Sequence, residues 1–153
     1  MDFNNNHSLV ILIISISASF LAQFFKIFIN FIRFKKLDIG LFFRTGGMPS
    51  SHSSMASAMA CTIGLIEGFK SSIFALSVCF ALIVMYDASG VRRAVGIQAG
   101  ILNQMIHEMS EENPQFPIKR IKEFIGHTPF EVIVGSLFGT FMGYLGYYCF
   151  IKH

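Results

Sequence analysis

Apolar segments of membrane-crossing length alternate with short polar segments along this chain. Residues 9–32 and 129–151 are mostly apolar, and a helix needs roughly 20 such residues to cross a bilayer. Between these two segments lie two further apolar segments, 50–66 and 73–86, and each predicts a helix. The second is short for a membrane crossing unless its helix continues past Asp87. The pattern therefore predicts about four transmembrane helices.

A polar stretch separates the third apolar segment from the last one. It covers residues 87–122, which is longer than connections without secondary structure usually are. Residues 92–109 have the composition of a helix, and Pro114 and Pro117 break the stretch that follows. We therefore predict an all-α, integral membrane helical bundle with a polar helical insertion, forming a single domain over residues 1–153.

The composition agrees with a membrane environment. Hydrophobic residues make up 53% of the 153 residues and charged residues 14%, whereas soluble domains carry about 25% charged residues. The mean hydropathy is +0.58. The net charge of +3 is mild and gives no indication of a nucleic-acid partner. These values exclude an ordinary soluble domain, so the bilayer is the first expected partner.

Small residues recur at helical spacing in the last apolar segment. Gly135, Gly139 and Gly143 are four residues apart, and Gly146 follows after three. Because small residues let membrane helices approach closely, this spacing predicts a packing face.

Basic residues collect in two of the three loops that four membrane helices would leave. The first loop holds Arg33, Lys35, Lys36 and Arg44, and the third holds Arg92, Arg93, Lys119, Arg120 and Lys122. The second loop holds only Lys70. Since Lys and Arg accumulate in cytoplasmic loops, we expect a multi-pass protein whose first and third loops face the cytoplasm.

Three polar clusters lie on that expected face, and the first is Gly-Gly-Met-Pro-Ser-Ser-His-Ser at 46–53. A turn that leads into a helix start exposes backbone N–H groups, which suit an anion. Ser50 adds a hydroxyl group, and His52 can donate a proton. The alternative is a Ser50 N-cap beside an incidental histidine.

The second cluster is Asp-Ala-Ser-Gly-Val-Arg-Arg at 87–93. Arg92 and Arg93 fit charge-assisted hydrogen bonds to phosphate oxygens, and they equally fit contacts with lipid headgroups. An ionised Asp87 at the end of an apolar segment needs a partner, and either arginine can supply one.

The third cluster is Gly-His-Thr-Pro-Phe-Glu-Val-Ile-Val-Gly at 126–135. His127 and Glu131 are four residues apart, so a helix would bring them to one face. A carboxylate that accepts from one ring nitrogen leaves the other nitrogen basic. The alternative is a histidine at a helix start beside a surface carboxylate.

Lys26 lies inside the first apolar segment, on the same helical face as Gln23 and Asn30. Ionisable residues within a membrane segment are candidates for function. The alternative is a lysine that extends toward the membrane surface. The polar stripe formed with Gln23 and Asn30 favours a protein-facing or wet position.

Taken together, these clusters resemble the superfamily of type 2 phosphatidic acid phosphatases and vanadium haloperoxidases. Pro-Ser-Ser-His at 49–52 resembles the family's Pro-Ser-Gly-His, and the segment from His127 to Glu131 resembles its His-x-x-x-Asp. Gly-Gly-Met-Pro-Ser-Ser-His and Asp-Ala-x-Gly-Val-Arg-Arg are most similar to a divergent membrane branch of the superfamily. The resemblance extends over residues 23–143.

The chain departs from the family pattern at several positions. Ser51 stands at the glycine position of the second motif, and Glu131 replaces the aspartate of the third. The family's Lys…Arg-Pro motif is missing at its usual spacing, and we propose Lys26 and Arg44 as substitutes. An insertion at 97–126 separates the arginines from His127.

The resemblance implies a phosphatase that works without a metal or another cofactor. His127 is the implied nucleophile, Glu131 orients it, and His52 is the general acid and base. The implied phosphate-binding residues are Ser50, Ser51, Arg92, Arg93, Lys26 and Arg44, with Asp87 and Ser89 in support. The membrane setting implies a phosphorylated lipid or isoprenoid as the substrate, and a homo-oligomer is left open.

Two other functions fit the same residues. One is a non-catalytic membrane protein that binds anionic lipid headgroups, in which case replacing His127 would be harmless. The other is a vanadate-dependent haloperoxidase, because vanadate resembles the transition state at phosphorus; the small, membrane-embedded chain disfavours it.

Overall fold

The computed structural model describes residues 7–35, 47–112, 121 and 126–152, and the regular elements in this part are five α-helices. They are α1 (His7–Phe34), α2 (Ser51–Glu67), α3 (Ser72–Ser89), α4 (Val91–Glu112) and α5 (Pro129–Phe150). The predicted all-α fold is confirmed. Each predicted apolar segment became one helix, and the predicted polar insertion contains α4.

Side-chain caps fix where the helices begin. Ser50 caps α2 by accepting from the backbone N–H of Ser53, and Ser71 caps α3 by accepting from that of Phe74. Between these two helices, Gly68 has a φ of +88°, a left-handed conformation that glycine adopts without strain. The connection is short, so α2 and α3 are neighbours in space as well as in sequence.

Helices α2 and α5 form the closest packed pair of the bundle. Gly135, Gly139 and Gly143 of α5 lie against Ser50, Ser54 and Ala58 of α2, respectively. Residue numbers rise together on both helices, so the two run parallel. A Cβ atom at Gly143 would lie 2.7 Å from the carbonyl oxygen of Ala58, and the Ser54 hydroxyl donates to the Gly135 carbonyl over 2.9 Å. The small residues that the sequence predicted as a packing face thus form the contact between α5 and α2.

Helix α1 runs antiparallel to that pair. Near its start, Ile14 packs against Gly146 at the end of α5, and further along, Lys26 reaches Gly47 just before α2. The last turns of α1 therefore lie where α2 and α5 begin.

Helix α3 also runs antiparallel to α2. Phe74 near its start lies against Gly64 near the end of α2, and the carbonyl of Ala88 at its other end accepts from the backbone N–H of His127. Helices α1, α2, α3 and α5 thus alternate in direction. The end of α1, the start of α2, the end of α3 and the start of α5 meet at one end of the bundle, which we call the site end.

Three stretches of the described chain are long and apolar enough to cross a membrane: His7–Ile32, Ser72–Glu111 and Pro129–Phe150. Helix α2, counted in the prediction as the fourth crossing, is not among them. It has 17 residues rich in serine and alanine, and ten of them are buried. It packs against α1, α3 and α5, so the surrounding helices enclose it.

The bundle buries small side chains and exposes large apolar ones. Ala18, Ala22 and Ala58 are fully buried, whereas Phe24 on α1 and Leu137 on α5 are 62% and 67% exposed. An extended apolar surface of this kind marks contact with another apolar phase. Lipid chains supply that phase in a membrane, where small residues mediate the helix contacts.

Candidate active site

His127 and Glu131 form a hydrogen-bonded pair at the site end. His127 lies just before α5 and is only 6% exposed. Its Nδ1 lies 3.1 Å from Oε2 of Glu131, as the spacing of four residues predicted. A proton shared between these atoms puts the basic lone pair of the ring on Nε2.

The same carboxylate also caps α5. Glu131 Oε2 accepts from the backbone N–H of Thr128 over 3.0 Å, and the Thr128 hydroxyl accepts from the backbone N–H of Glu131 over 3.3 Å. This is a capping box, with Pro129 in the first turn. The backbone N–H of Thr128 holds the Glu131 carboxylate in place, and this carboxylate in turn holds the imidazole ring.

Two backbone hydrogen bonds join the third sequence cluster to the other two. The N–H of Ser50 donates to the carbonyl of Glu131 over 3.3 Å, and the N–H of His127 donates to the carbonyl of Ala88 over 3.1 Å. The segments around residues 50, 88 and 127, which are far apart in the sequence, therefore meet at the site end.

Lys26 brings a cationic side chain to this end from α1. It is 4% exposed, and its Cε lies so close to Gly47 that a Cβ atom there would be 2.8 Å away. Its ammonium group interacts electrostatically with Glu131. Gln23 and Asn30 are partly covered on the same face, and the Gln23 side-chain oxygen is buried. The polar stripe of α1 thus faces the protein interior.

Ser50, Ser51 and His52 lie at the start of α2 in three different environments. Ser50 is completely buried, and its Oγ accepts from the N–H and the hydroxyl of Ser53 over 3.4 and 3.0 Å. Ser51 is 5% exposed, whereas His52 is exposed. The hydroxyl predicted to bind phosphate therefore also acts as the N-cap.

His52 and Asp87 line one cleft between α2 and α3. The cleft has a volume of about 270 Å³, and its other walls are Ile83, Val84 and Ala88. The carbonyl of Ala88 accepts from the backbone N–H of His127, so the cleft lies beside the chain segment that carries His127. Its walls are apolar apart from the imidazole and the carboxylate.

Two of the remaining predicted residues lie where α3 ends and α4 begins. Arg93 is exposed on the first turn of α4, at the same end, and Ser89 donates its hydroxyl back to the carbonyl of Met85 over 2.9 Å. The side chain of Arg92, and all of Arg44, lie outside the described residues. Pairing of Asp87 with either of the adjacent arginines stays a prediction.

Sequence reasoning missed two features of the site. The capping box could have been found, because Thr-Pro-Phe-Glu at 128–131 matches the Ser/Thr-x-x-Glu signature. The proximity of Asp87 to His52 has no local signal, because it depends on how α2 and α3 pack. Over the described ranges, no group of three His, Cys, Asp or Glu side chains has the arrangement of a metal site.

Comparisons with known proteins identify the family of this chain. The sequence profile of the Divergent PAP2 family matches residues 6–142. The chain is 41% identical over 141 residues to the "Uncharacterized membrane protein YuiD" of Bacillus subtilis (strain 168), covering 86% of this chain and 89% of that protein. No solved structure matches. The profile covers both histidine clusters and the relative is a membrane protein, so the resemblance predicted from the motifs is confirmed: this chain is a membrane protein that belongs to the Divergent PAP2 family.

Proposed function

We propose that the protein is a membrane phosphatase that hydrolyses a lipid or isoprenoid phosphate through a phosphohistidine intermediate. The observation that carries the proposal is the buried His127, with Nδ1 held 3.1 Å from Glu131. This orientation directs the basic Nε2 lone pair away from the carboxylate. Lys26 adds positive charge within electrostatic range of the same carboxylate.

In the first step, Nε2 of His127 attacks phosphorus, and the bond from phosphorus to the lipid oxygen breaks. Glu131 stabilises the positive charge that develops on the ring. His52 donates a proton to the departing oxygen, so that the lipid leaves as an alcohol. Lys26 and Arg93 neutralise the phosphoryl oxygens, a role in which one key donor is worth roughly 2.7–4 kcal/mol.

In the second step, His52, now neutral, takes a proton from water. The resulting hydroxide attacks phosphorus, the P–N bond breaks, and inorganic phosphate leaves. His127 recovers its lone pair and His52 its proton, so the site returns to its starting state. Ser50 and Ser51, together with Arg44 and Arg92, complete the proposed phosphate-binding set, and Ser89 and Asp87 support it.

Support for a lipid substrate comes from the cleft beside His52. Its apolar walls include Ile83, which is 68% exposed on the outer face of α3. A phosphate ester with a hydrocarbon chain can thus reach His52 from the bilayer without its chain passing through water. The loop charges favour a cytoplasmic position for the site end.

Phosphate release from a long-chain lipid phosphate by the purified protein in lipid nanodiscs tests the proposal. We expect His127→Ala to abolish release. His107→Ala is the matched control, because His107 also has a glutamate four residues later, 3.5 Å away, but on the exposed surface of α4. Full turnover by His127→Ala would overturn the mechanism. Tight binding of the lipid phosphate by the unmodified protein, without phosphate release, would identify a non-catalytic lipid-binding protein instead.

A further inference from the structure

Helix α4 follows α3 with only Gly90 between them, so the two helices form one long stretch. The apolar stretch Ser72–Glu111 covers 40 residues, interrupted only by the turn at Gly90. At 1.5 Å per residue it is about 60 Å long, twice the roughly 30 Å of a hydrocarbon core. The 18 residues of α3 alone account for about 27 Å. A helix that continues onward from α3 therefore leaves the membrane core at the site end.

Helix α4 nevertheless carries large apolar side chains on its surface. Seven are between 47% and 56% exposed: Val91, Val95, Ile97, Ile101, Leu102, Met105 and Met109. Spacings of three, four and seven residues put most of them on one side. Gln104, His107 and Glu111 are exposed on the opposite side. Helix α4 is thus amphipathic, with an apolar side that water would solvate poorly.

Ile121, the described residue before α5, contacts a different side of α4. The Asn103 side chain donates to the carbonyl of Ile121 and accepts from its N–H, each over 2.8 Å. Ala99, one turn earlier on the same side, is 6% exposed. Within the described part, the other extensive helix contact of α4 is with α3. Neither contact covers the apolar side.

We propose that α4 lies along the membrane surface at the site end, with its apolar side inserted at the boundary between headgroups and acyl chains. The bilayer is favoured as the phase that covers this side, because only Gly90 separates α4 from the membrane-crossing helix α3. The apolar side is also wide, since it includes Ile101 and Met105 besides the stripe through Leu102. A second helix would cover a narrow stripe, whereas a bilayer covers a broad face.

The chain contains no tryptophan, which makes the position of α4 directly measurable. Leu102→Trp reports on the apolar side, and Gln104→Trp, two residues away and also exposed, reports on the polar side. Met105→Trp is a second apolar reporter should the first variant fold poorly. Each purified variant is reconstituted into vesicles that contain lipids brominated at a defined depth, and tryptophan fluorescence is recorded.

We expect brominated lipid to quench Leu102→Trp several-fold more than Gln104→Trp, and aqueous iodide to show the reverse order. Bromines near the headgroup end of the chain should quench more than those near its methyl end, because an interfacial helix inserts only about 5–10 Å. Stronger quenching by the deep bromines would overturn the proposal in favour of a crossing helix. Equal iodide quenching of both variants would overturn the proposal and show that water covers the apolar side. Protection of Leu102→Trp from both quenchers would overturn it and show that a protein partner covers that side. None of these outcomes depends on phosphatase activity.

Discussion

Replacing Glu131 by glutamine separates the two tasks of this side chain. Its Oε2 accepts from the backbone of Thr128 over 3.0 Å and lies 3.1 Å from Nδ1 of His127. Glutamine also occurs at this position of capping boxes, so α5 keeps its cap. The substitution removes only the negative charge beside the imidazole ring.

The size of the effect follows from the strength of these hydrogen bonds. A bond to a charged partner contributes about 1.5–3 kcal/mol and a neutral one about 0.5–1.5 kcal/mol. Replacing the charged acceptor by a neutral one therefore weakens the hydrogen bond to the positively charged ring by about 1–1.5 kcal/mol. A difference of 1.36 kcal/mol corresponds to a factor of ten in rate. We expect kcat/KM for a lipid phosphate to fall roughly tenfold or more, with little change in Tm.

Two further variants complete the experiment. Thr128→Ala removes the capping hydroxyl but leaves the His127–Glu131 pair, so it should cost about 1 kcal/mol of stability and leave kcat/KM unchanged. Glu111→Gln makes the same chemical change beside the exposed His107 and should be silent. Undiminished kcat/KM in Glu131→Gln, or an equal loss in Thr128→Ala, would refute this account of the carboxylate.

Three other predictions concern packing, charge and orientation. Gly139→Ala should lower thermal stability in detergent by about 1–3 kcal/mol, because its Cβ would clash with the backbone of Ser54. The control Leu137→Ala, at an exposed position, should change stability little. Equal melting curves for the two variants would contradict the close packing. Lys26→Met should lower phosphate release roughly 10²-fold with little change in folding, and unchanged release would remove Lys26 from the site. In a variant without the three native cysteines, Lys70→Cys should react with an impermeant maleimide from outside the cell, because Lys70 lies at the end of the bundle opposite the site end. Labelling only after lysis would show that the site end faces outward instead of toward the cytoplasm.

The sequence was sufficient to predict the helices and one packing face. Apolar segments at 9–32 and 129–151 became α1 (His7–Phe34) and α5 (Pro129–Phe150) with small shifts of their ends. The spacing of Gly135, Gly139 and Gly143 marked the packing face of α5, because that periodicity is local. The partner of this face is α2, which no local pattern identifies.

The arrangement of the candidate site was only partly predictable from the sequence. The His127–Glu131 pair lies within one helical turn, so spacing alone predicted it. The pairing of Asp87 with a neighbouring arginine stays a prediction. The cleft that Asp87 shares with His52, 35 residues earlier in the sequence, depends on how α2 and α3 pack. For the Ser50 hydroxyl the sequence left two roles open, phosphate binding and the N-cap of α2, and its bonds to Ser53 show the N-cap.

Trapping the covalent intermediate tests the central claim most directly. The protein is mixed with a lipid phosphate labelled with ³²P, quenched in alkali, where phosphohistidine survives, and digested for peptide mapping. We predict label on the peptide that contains His127, and none in the His127→Ala variant. Label on another residue, or continuing phosphate release without any labelled protein, would contradict the assignment of His127 as the nucleophile.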